Sequence, residues 1–521
     1  VQLETQRILD LTVKTTTPVD MTERFRRPGG TQTLYPLQSR ALYEGEQAGG
    51  LLAAIGVGLG KTLIAFLLAA AMSAERALLL IPSSVFAQCM RMRAEYQLHW
   101  ILPPLKVLPY SLLQVKRYAS YLYEYGPDLI IADEAHRLKS WDSARTGRVV
   151  DYFRDNPDTM FAGLSGTMTS NSLRDYAHLA ELALREGSPL PRERGLLNLW
   201  QEVLDADAKD PSETALGALT GVCQWAGMDD PRKAFAERLT QTWGVVTSSE
   251  KVVKASLRMI EISDLDLPQA YFDTQHVDHD PSGEPFDTPA NKGVCLRYLS
   301  LGFYHIWEWE GAPDDEYTRA RRAWAKAAFY ELRGRRQRDY DSKALVYDAV
   351  EANPHHHLRG VWEDWVAVRD RPGHITTPVW LDKSIVEKAV DRVKGRKIIW
   401  YRSQAVRDRL IELGIPTVSA GDPLPDNLGE DTLAMSIESH LEGLNLQMYN
   451  RNLVLEPPSG GGIWEQLIGR THRLGQEEDE VLVYYLAHSD VFARAMVKAK
   501  KDAEYQETTR VRRRLCYADW C

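Results

Sequence analysis

Gly56-Val57-Gly58-Leu59-Gly60-Lys61-Thr62 follows an apolar run and opens a helical pattern, and few folds accommodate such a string. Glycines let backbone N–H groups wrap closely around phosphate oxygens, and the following helix adds its positive end. In that setting the Lys61 ammonium reaches β- and γ-phosphates, and the Thr62 hydroxyl supplies an oxygen ligand for Mg²⁺. One departure is visible: Ile55 stands where the first glycine of such loops is usual. A second element follows in Ile130-Ile131-Ala132-Asp133-Glu134-Ala135-His136, an apolar strand ending in adjacent carboxylates and a histidine. A strand end of this kind delivers Asp133 to a metal beside the glycine loop, while Glu134 orients or deprotonates an attacking water.

The surrounding pattern predicts the architecture. Short β-rich runs at Leu51–Ile55, Ala77–Ile81, Asp128–Ala132 and Phe161–Leu164 alternate with helical patterns, as in a buried parallel sheet with crossover helices. A second alternating region spans about 381 to 490, with runs at Lys397–Tyr401, Pro416–Ser419, Leu433–Ser436, Asn452–Leu455 and Val481–Leu486. Residues 172–245 and 297–370 read as amphipathic helices, separated by a Pro- and Asp-rich loop around 267–293. The predicted fold is α/β: two parallel-sheet lobes in tandem with helical insertions. Its expected boundaries are an N-terminal extension at 1–30, a first lobe at 31–265 with a helical insertion about 172–245, a linker and helical insertion at 266–380, a second lobe at 381–497 and a basic tail at 498–521.

Further strings carry a family resemblance. Asp133-Glu134-Ala135-His136 resembles the DEAH form of helicase motif II. Leu164-Ser165-Gly166-Thr167 resembles motif III as Swi/Snf proteins write it, with Met168 in place of their usual proline. Tyr35-Pro36-Leu37-Gln38 resembles the upstream Q-type motif, and Ile81-Pro82-Ser83-Ser84 and Pro109-Tyr110-Ser111 the two lobe-one segments that face a nucleic-acid backbone. In the second half, Lys397-Ile398-Ile399-Trp400-Tyr401 is similar to the strand of motif IV, and Gly443-Leu444-Asn445-Leu446 to the core of motif V. Most specific is Gln466-Leu467-Ile468-Gly469-Arg470-Thr471-His472-Arg473-Leu474-Gly475-Gln476, which resembles the block that marks the Swi/Snf ATPases within helicase superfamily two. The resemblance runs in order from about 34 to 490 and is closest to compact versions from bacteria and their viruses.

That resemblance implies that the two parallel-sheet lobes are RecA-like and that the chain is an ATPase with ATP and Mg²⁺. Lys61, Asp133 and Glu134 would be catalytic, joined by Arg470 and Arg473 as arginine fingers from the second lobe. Gln38, Gly58, Gly60, Thr62 and Gln466 would bind ATP, Gln38 by reading adenine, and Thr62 and Asp133 would hold the metal. Ser165, Thr167, Gly443 and Asn445 would couple the phosphate state to lobe movement, and Pro82, Ser83 and Tyr110 would face nucleic acid. The implied partner is double-stranded DNA, with unidentified proteins beside it.

The formal net charge of −9 does not exclude such a partner, because phosphate binding depends on local patches. Residues 319–338 hold Arg319, Arg321, Arg322, Lys326, Arg333, Arg335, Arg336 and Arg338 against the single acid Glu331. Arg319, Arg322, Lys326, Arg333 and Arg336 would share one helical face, either tracking a backbone or merely solvated. Lys498, Lys500, Lys501, Arg510, Arg512, Arg513 and Arg514 make the tail basic, with disorder as the other reading. Trp307, Trp309, Trp324, Trp362 and Trp365 are expected to pack in a core rather than stack on bases. His276, His279 and the run His355–His357 lack companion ligands and read as loop histidines. Five scattered cysteines write no disulfide framework, and no apolar run is long enough to span a bilayer, so a reducing, cytoplasmic location without a membrane partner is expected. Two other functions share these motifs: a strand-separating helicase on DNA or RNA, and a nucleotide-dependent switch that binds without cycling.

Overall fold

A computed structural model describes the chain except residues 1, 16–18, 57, 142, 167–171, 207, 249–252, 287, 334–342, 420–421, 423–424, 426, 441–443 and 508–511. Six strands form the first sheet: β1 (Leu51–Ala54), β2 (Ala77–Ile81), β3 (Lys106–Pro109), β4 (Leu129–Asp133), β5 (Met160–Ser165) and β6 (Val245–Thr247). Their order is β3-β2-β4-β5-β1-β6, and every pairing is parallel. Successive residues serve opposite faces, so one core takes Leu52, Leu78 and Ile130 and the other takes Leu51, Leu79 and Ile131. Burial on both faces explains why β1, β2 and β4 read as unbroken apolar runs rather than alternating ones.

Next along the chain come β7 (Ser256–Ile262), the antiparallel pair β8 (Phe303–Glu308) and β9 (Ile375–Trp380), then β10 (Ile398–Tyr401), β11 (Thr417–Val418), β12 (Leu433–Ser436), β13 (Arg451–Val454), β14 (Glu480–Leu486) and β15 (Asp519–Trp520). The second sheet is parallel throughout, with order β11-β12-β10-β13-β14-β7-β15. Two parallel sheets carrying helical insertions are the predicted α/β architecture, compatible with two RecA-like lobes.

Three boundaries move. The extension at 1–30 belongs to the first lobe: Leu9 of helix Gln2–Asp10 packs on Gly221, and Lys14 pairs with Glu44 at 3.1 Å in the interior. β7 lies inside the predicted first lobe but pairs with β14 over seven residues, so the second lobe starts near 256. The described part of the basic tail is folded, since helix Asp490–Glu507 packs its Ala499 and Ala503 against Gly461 and β15 pairs with β7, while Arg510 lies outside the described residues.

Between β7 and β10 lie helices Gln269–His276 and Pro289–Leu299, where a loop was expected, then the β8/β9 ribbon, whose first strand interrupts the expected helical stretch, with helices Asp315–Arg333, Lys343–Ala352 and Arg359–Val368, and finally helix Ser384–Arg392. Trp324 and Trp362 are buried there with Val346 and Val350, as expected, and Trp307 stacks on His374 with ring centroids 3.9 Å apart. Among the described residues no helix is long and apolar enough to cross a membrane.

Candidate functional site

In a parallel sheet all strands point one way, so the segments after their carboxyl ends share one edge, where ligands of such sheets bind. β1 delivers the glycine loop there, β2 delivers Pro82 and Ser83, β3 leads to Tyr110, β4 ends in Asp133 and Glu134, and β5 ends in Ser165. A cavity of about 630 Å³ opens at this edge. Its walls include Gln38, Gly58, Gly60, Lys61, Thr62, Asp133 and Glu134 from the first lobe, and Asn445, Arg470 and Arg473 from the second.

Gly58 and Gly60 have φ of +91° and +76°, a region that side chains strongly disfavour. A Cβ on Gly60 would sit 2.1 Å from Gln38 Nε2, and one on Gly58 would lie 3.4 Å from Arg473 Cβ, so the loop abuts the second lobe. Gly60 caps the helix Lys61–Ala71 without a side-chain bond. The first-turn N–H groups of that helix therefore suit an anionic ligand. Lys61, 9% exposed, donates from Nζ to the Ile55 carbonyl at 3.0 Å and lies 3.8 Å from Glu134 Oε1.

Glu134 sits at the centre of the cluster. Its backbone is left-handed (φ +55°, ψ +51°), a strained state for a non-glycine residue of the kind concentrated at functional sites. Oε2 lies 3.2 Å from His136 Nδ1 and accepts from Ser165 Oγ at 3.4 Å, while His136 Nδ1 and Ser165 Oγ are 2.9 Å apart. Burial pushes the Glu134 carboxyl up, but the charges of Lys61, His136 and Arg470, with the His136 bond, outweigh it and hold it below the ordinary range. Glu134 is thus an ionised acceptor at neutral pH. Asp133 and Thr62 both line the cavity and carry hard oxygen donors of the kind that could hold a Mg²⁺ ion.

The second lobe presents its arginines from the helix Gly461–Thr471 and the turn after it. Arg470, 7% exposed, donates to the Leu444 carbonyl at 3.1 Å, and Arg473 donates to Asn445 Oδ1. Burial lowers the Arg473 guanidinium below its usual range and the nearby Arg514 adds to this.

Other expected residues fall elsewhere. Gln466 does not line the cavity; its carbonyl accepts from Arg470 Nε at 3.3 Å. Tyr110 is buried, with its hydroxyl donating to the Asp133 carbonyl at 2.9 Å, so it braces the carboxylate strand instead of facing nucleic acid. Ser83 is exposed and bonded to Ser111 at 2.6 Å, which joins the two segments expected to face a backbone, whereas the neighbouring Pro82 is buried on the cavity wall. Arg322 turns inward to Glu284 and over the Trp307 ring at 5.0 Å, which removes it from the basic face. Arg319 and Lys326 are exposed on that face, Arg333 closes the helix, and Arg336, Thr167 and Gly443 lie outside the described residues. His356 and His357 meet Glu331, the companion acid the linear sequence hides, with ligand atoms within 4.8 Å of one another.

Sequence reasoning missed Tyr96, an aromatic cavity wall that follows β2 on the helix Phe86–Tyr96, and Ser248, whose hydroxyl accepts from Gly56 N at 2.9 Å. Ser248 opens the passage between lobes, and Ala255 near its end lies with its carbonyl 3.0 Å from His472 Nε2. That linker therefore touches the glycine loop at one end and the arginine segment at the other. No protein-family model matches the chain, and no curated protein matches it.

Proposed function

We propose that the chain is a Swi/Snf-type ATPase that uses ATP hydrolysis to move along double-stranded DNA, remodelling protein–DNA contacts or branched DNA. The observation that carries the reading is the single cavity walled by Lys61, Thr62, Asp133 and Glu134 on one side and Asn445, Arg470 and Arg473 on the other. Phosphoryl transfer demands neutralised charge and an aligned water more than covalent help from the protein. Lys61 and the bare N-terminal turn of its helix hold the phosphates, and the ionised Glu134 orients the water. Mg²⁺ on Thr62 and Asp133 would neutralise the β- and γ-oxygens. Water's oxygen adds to the γ-phosphorus as the bond to the bridging oxygen breaks, giving ADP, phosphate and a proton. Arg470 and Arg473 meet the charge that develops on the transferring group, so hydrolysis requires both lobes.

Lobe closure then alternates with release as ATP is bound and spent. Backbone tracking is assigned to Ser83 and Ser111 on the carboxyl edge and to Arg319 and Lys326 on the insertion. The test is phosphate release from ATP with duplex, single-stranded and forked DNA and RNA, beside triplex displacement and strand separation. Duplex-stimulated turnover with triplex displacement and no unwinding is expected. Unwinding would replace the reading with that of a helicase, and ATP binding without turnover on any ligand would replace it with that of a switch.

A further inference from the structure

The last nine residues end in a segment that touches both lobes at the places the motor reading depends on. Arg513 is 1% exposed, and its Nη1 donates to the carbonyl of Gly166 in the first lobe. Gly166 directly follows Ser165, which contacts both Glu134 and His136. The next residue, Arg514, faces the other way: it pairs with Glu465, which is 2% exposed on the arginine-bearing helix, and donates from Nη2 to the His472 carbonyl at 2.9 Å. Its backbone N–H also donates to Glu465 Oε2 at 2.9 Å. Behind this pair the backbone N–H of Arg513 donates to Glu507 Oε1 at 2.8 Å, and β15 locks the chain end onto β7 in register with Arg258 and Met259.

A guanidinium is removed from water at considerable cost unless its surroundings compensate. A surface tail that only closed the sheet edge would need no such group aimed at the other lobe. The bonds form a continuous path from Glu134 through Ser165 and Gly166 to Arg513, then through Arg514 to Glu465, His472 and the two cavity arginines. We infer that Arg513 is a positioning residue for ATP hydrolysis, coupling the strand end that carries Ser165 to the helix that carries Arg470. This rests on the ATPase reading above. Displacing a group by a small distance from its productive position slows chemistry far more than it weakens ground-state binding.

The test compares Arg513→Gln and Arg513→Lys in the full-length chain with ATP and duplex DNA. Arg513→Gln is expected to lower kcat by about tenfold with KM for ATP within about twofold, and Arg513→Lys to recover most of the loss. Amide hydrogen exchange should rise in residues 160–166 of Arg513→Gln. Wild-type kcat in both variants overturns the inference. So does an equal loss in both with a matching fall in thermal midpoint, because that marks a merely structural role. If the wild-type protein hydrolyses no ATP, the motor reading fails and the hydrolytic role of Arg513 with it. Exchange at 160–166 then separately decides whether the inter-lobe joint exists in solution.

Discussion

Individual residues at the cavity are held in states they would not adopt alone. Glu134 keeps a left-handed backbone while Tyr110 grips the carbonyl of Asp133 and Asp133 Oδ1 accepts from Glu134 N at 3.1 Å. Gln38 joins two motifs, accepting from Tyr35 N at 2.8 Å and donating to the Gly60 carbonyl at 3.4 Å. Gly60→Ala therefore meets two obstacles, a positive φ and the Gln38 amide. The substitution should cost about 1–2 kcal/mol from the backbone, measured by urea unfolding, with a further loss from displacing Gln38. In a Gln38→Ala background only the backbone part should remain. An alanine variant as stable as the parent would show that the loop does not hold this conformation.

At the scale of elements, most strands buried on both faces were legible in the sequence to within a residue or so, but β3 was not and β6, whose Val245 and Val246 serve opposite cores, starts inside a stretch expected to be helical. β2 and β12 fall where the apolar runs place them, and β4 is displaced by one residue because Asp133 continues its ladder. β7 was missed because it alternates, with Arg258 and Glu261 between apolar residues, and because its partner β14 lies more than 200 residues further on. β15 has two residues and no pattern at all. The tail's positive charge misled for a different reason: Arg514 answers a buried acid, Glu465, on another helix, and Arg513 a backbone carbonyl of the first lobe, which linear spacing cannot show. At the site, the residues that carry charge were legible because each motif sits at a strand or helix end. Ser248 and Tyr96 were not, since neither is marked by neighbouring residues.

The tail's anchoring has a pH signature. Burial pushes the Glu465 carboxyl up, but the charges of Arg514 and Arg513 and the bonds from Arg514 bring it below its ordinary value. A carboxyl with a depressed folded pKa contributes stability above the unfolded value and loses it as pH falls through the folded one. Exchange protection in residues 513–520, corrected for the intrinsic rate at each pH, should hold at neutral pH and fall below the usual carboxylate range. Glu465→Gln should be weakly protected throughout, with little pH dependence. A wild-type profile flat into acid would contradict the pairing.

On the scale of the whole molecule, two parallel-sheet lobes both contribute walls to one cavity, so neither lobe encloses it alone. The linker and the C-terminal segment each touch both lobes, through Ser248 and Ala255 in the first case and Arg513 and Arg514 in the second. Closing the cavity and moving one lobe over the other are thus the same motion in the proposed motor. The most direct measurement is duplex-stimulated ATP turnover by Arg470→Ala and Arg473→Ala, alongside nucleotide affinity. The account predicts that either substitution lowers kcat by about a thousandfold while nucleotide binding persists, as for loss of an arginine finger. Turnover at the wild-type rate in both variants would contradict it.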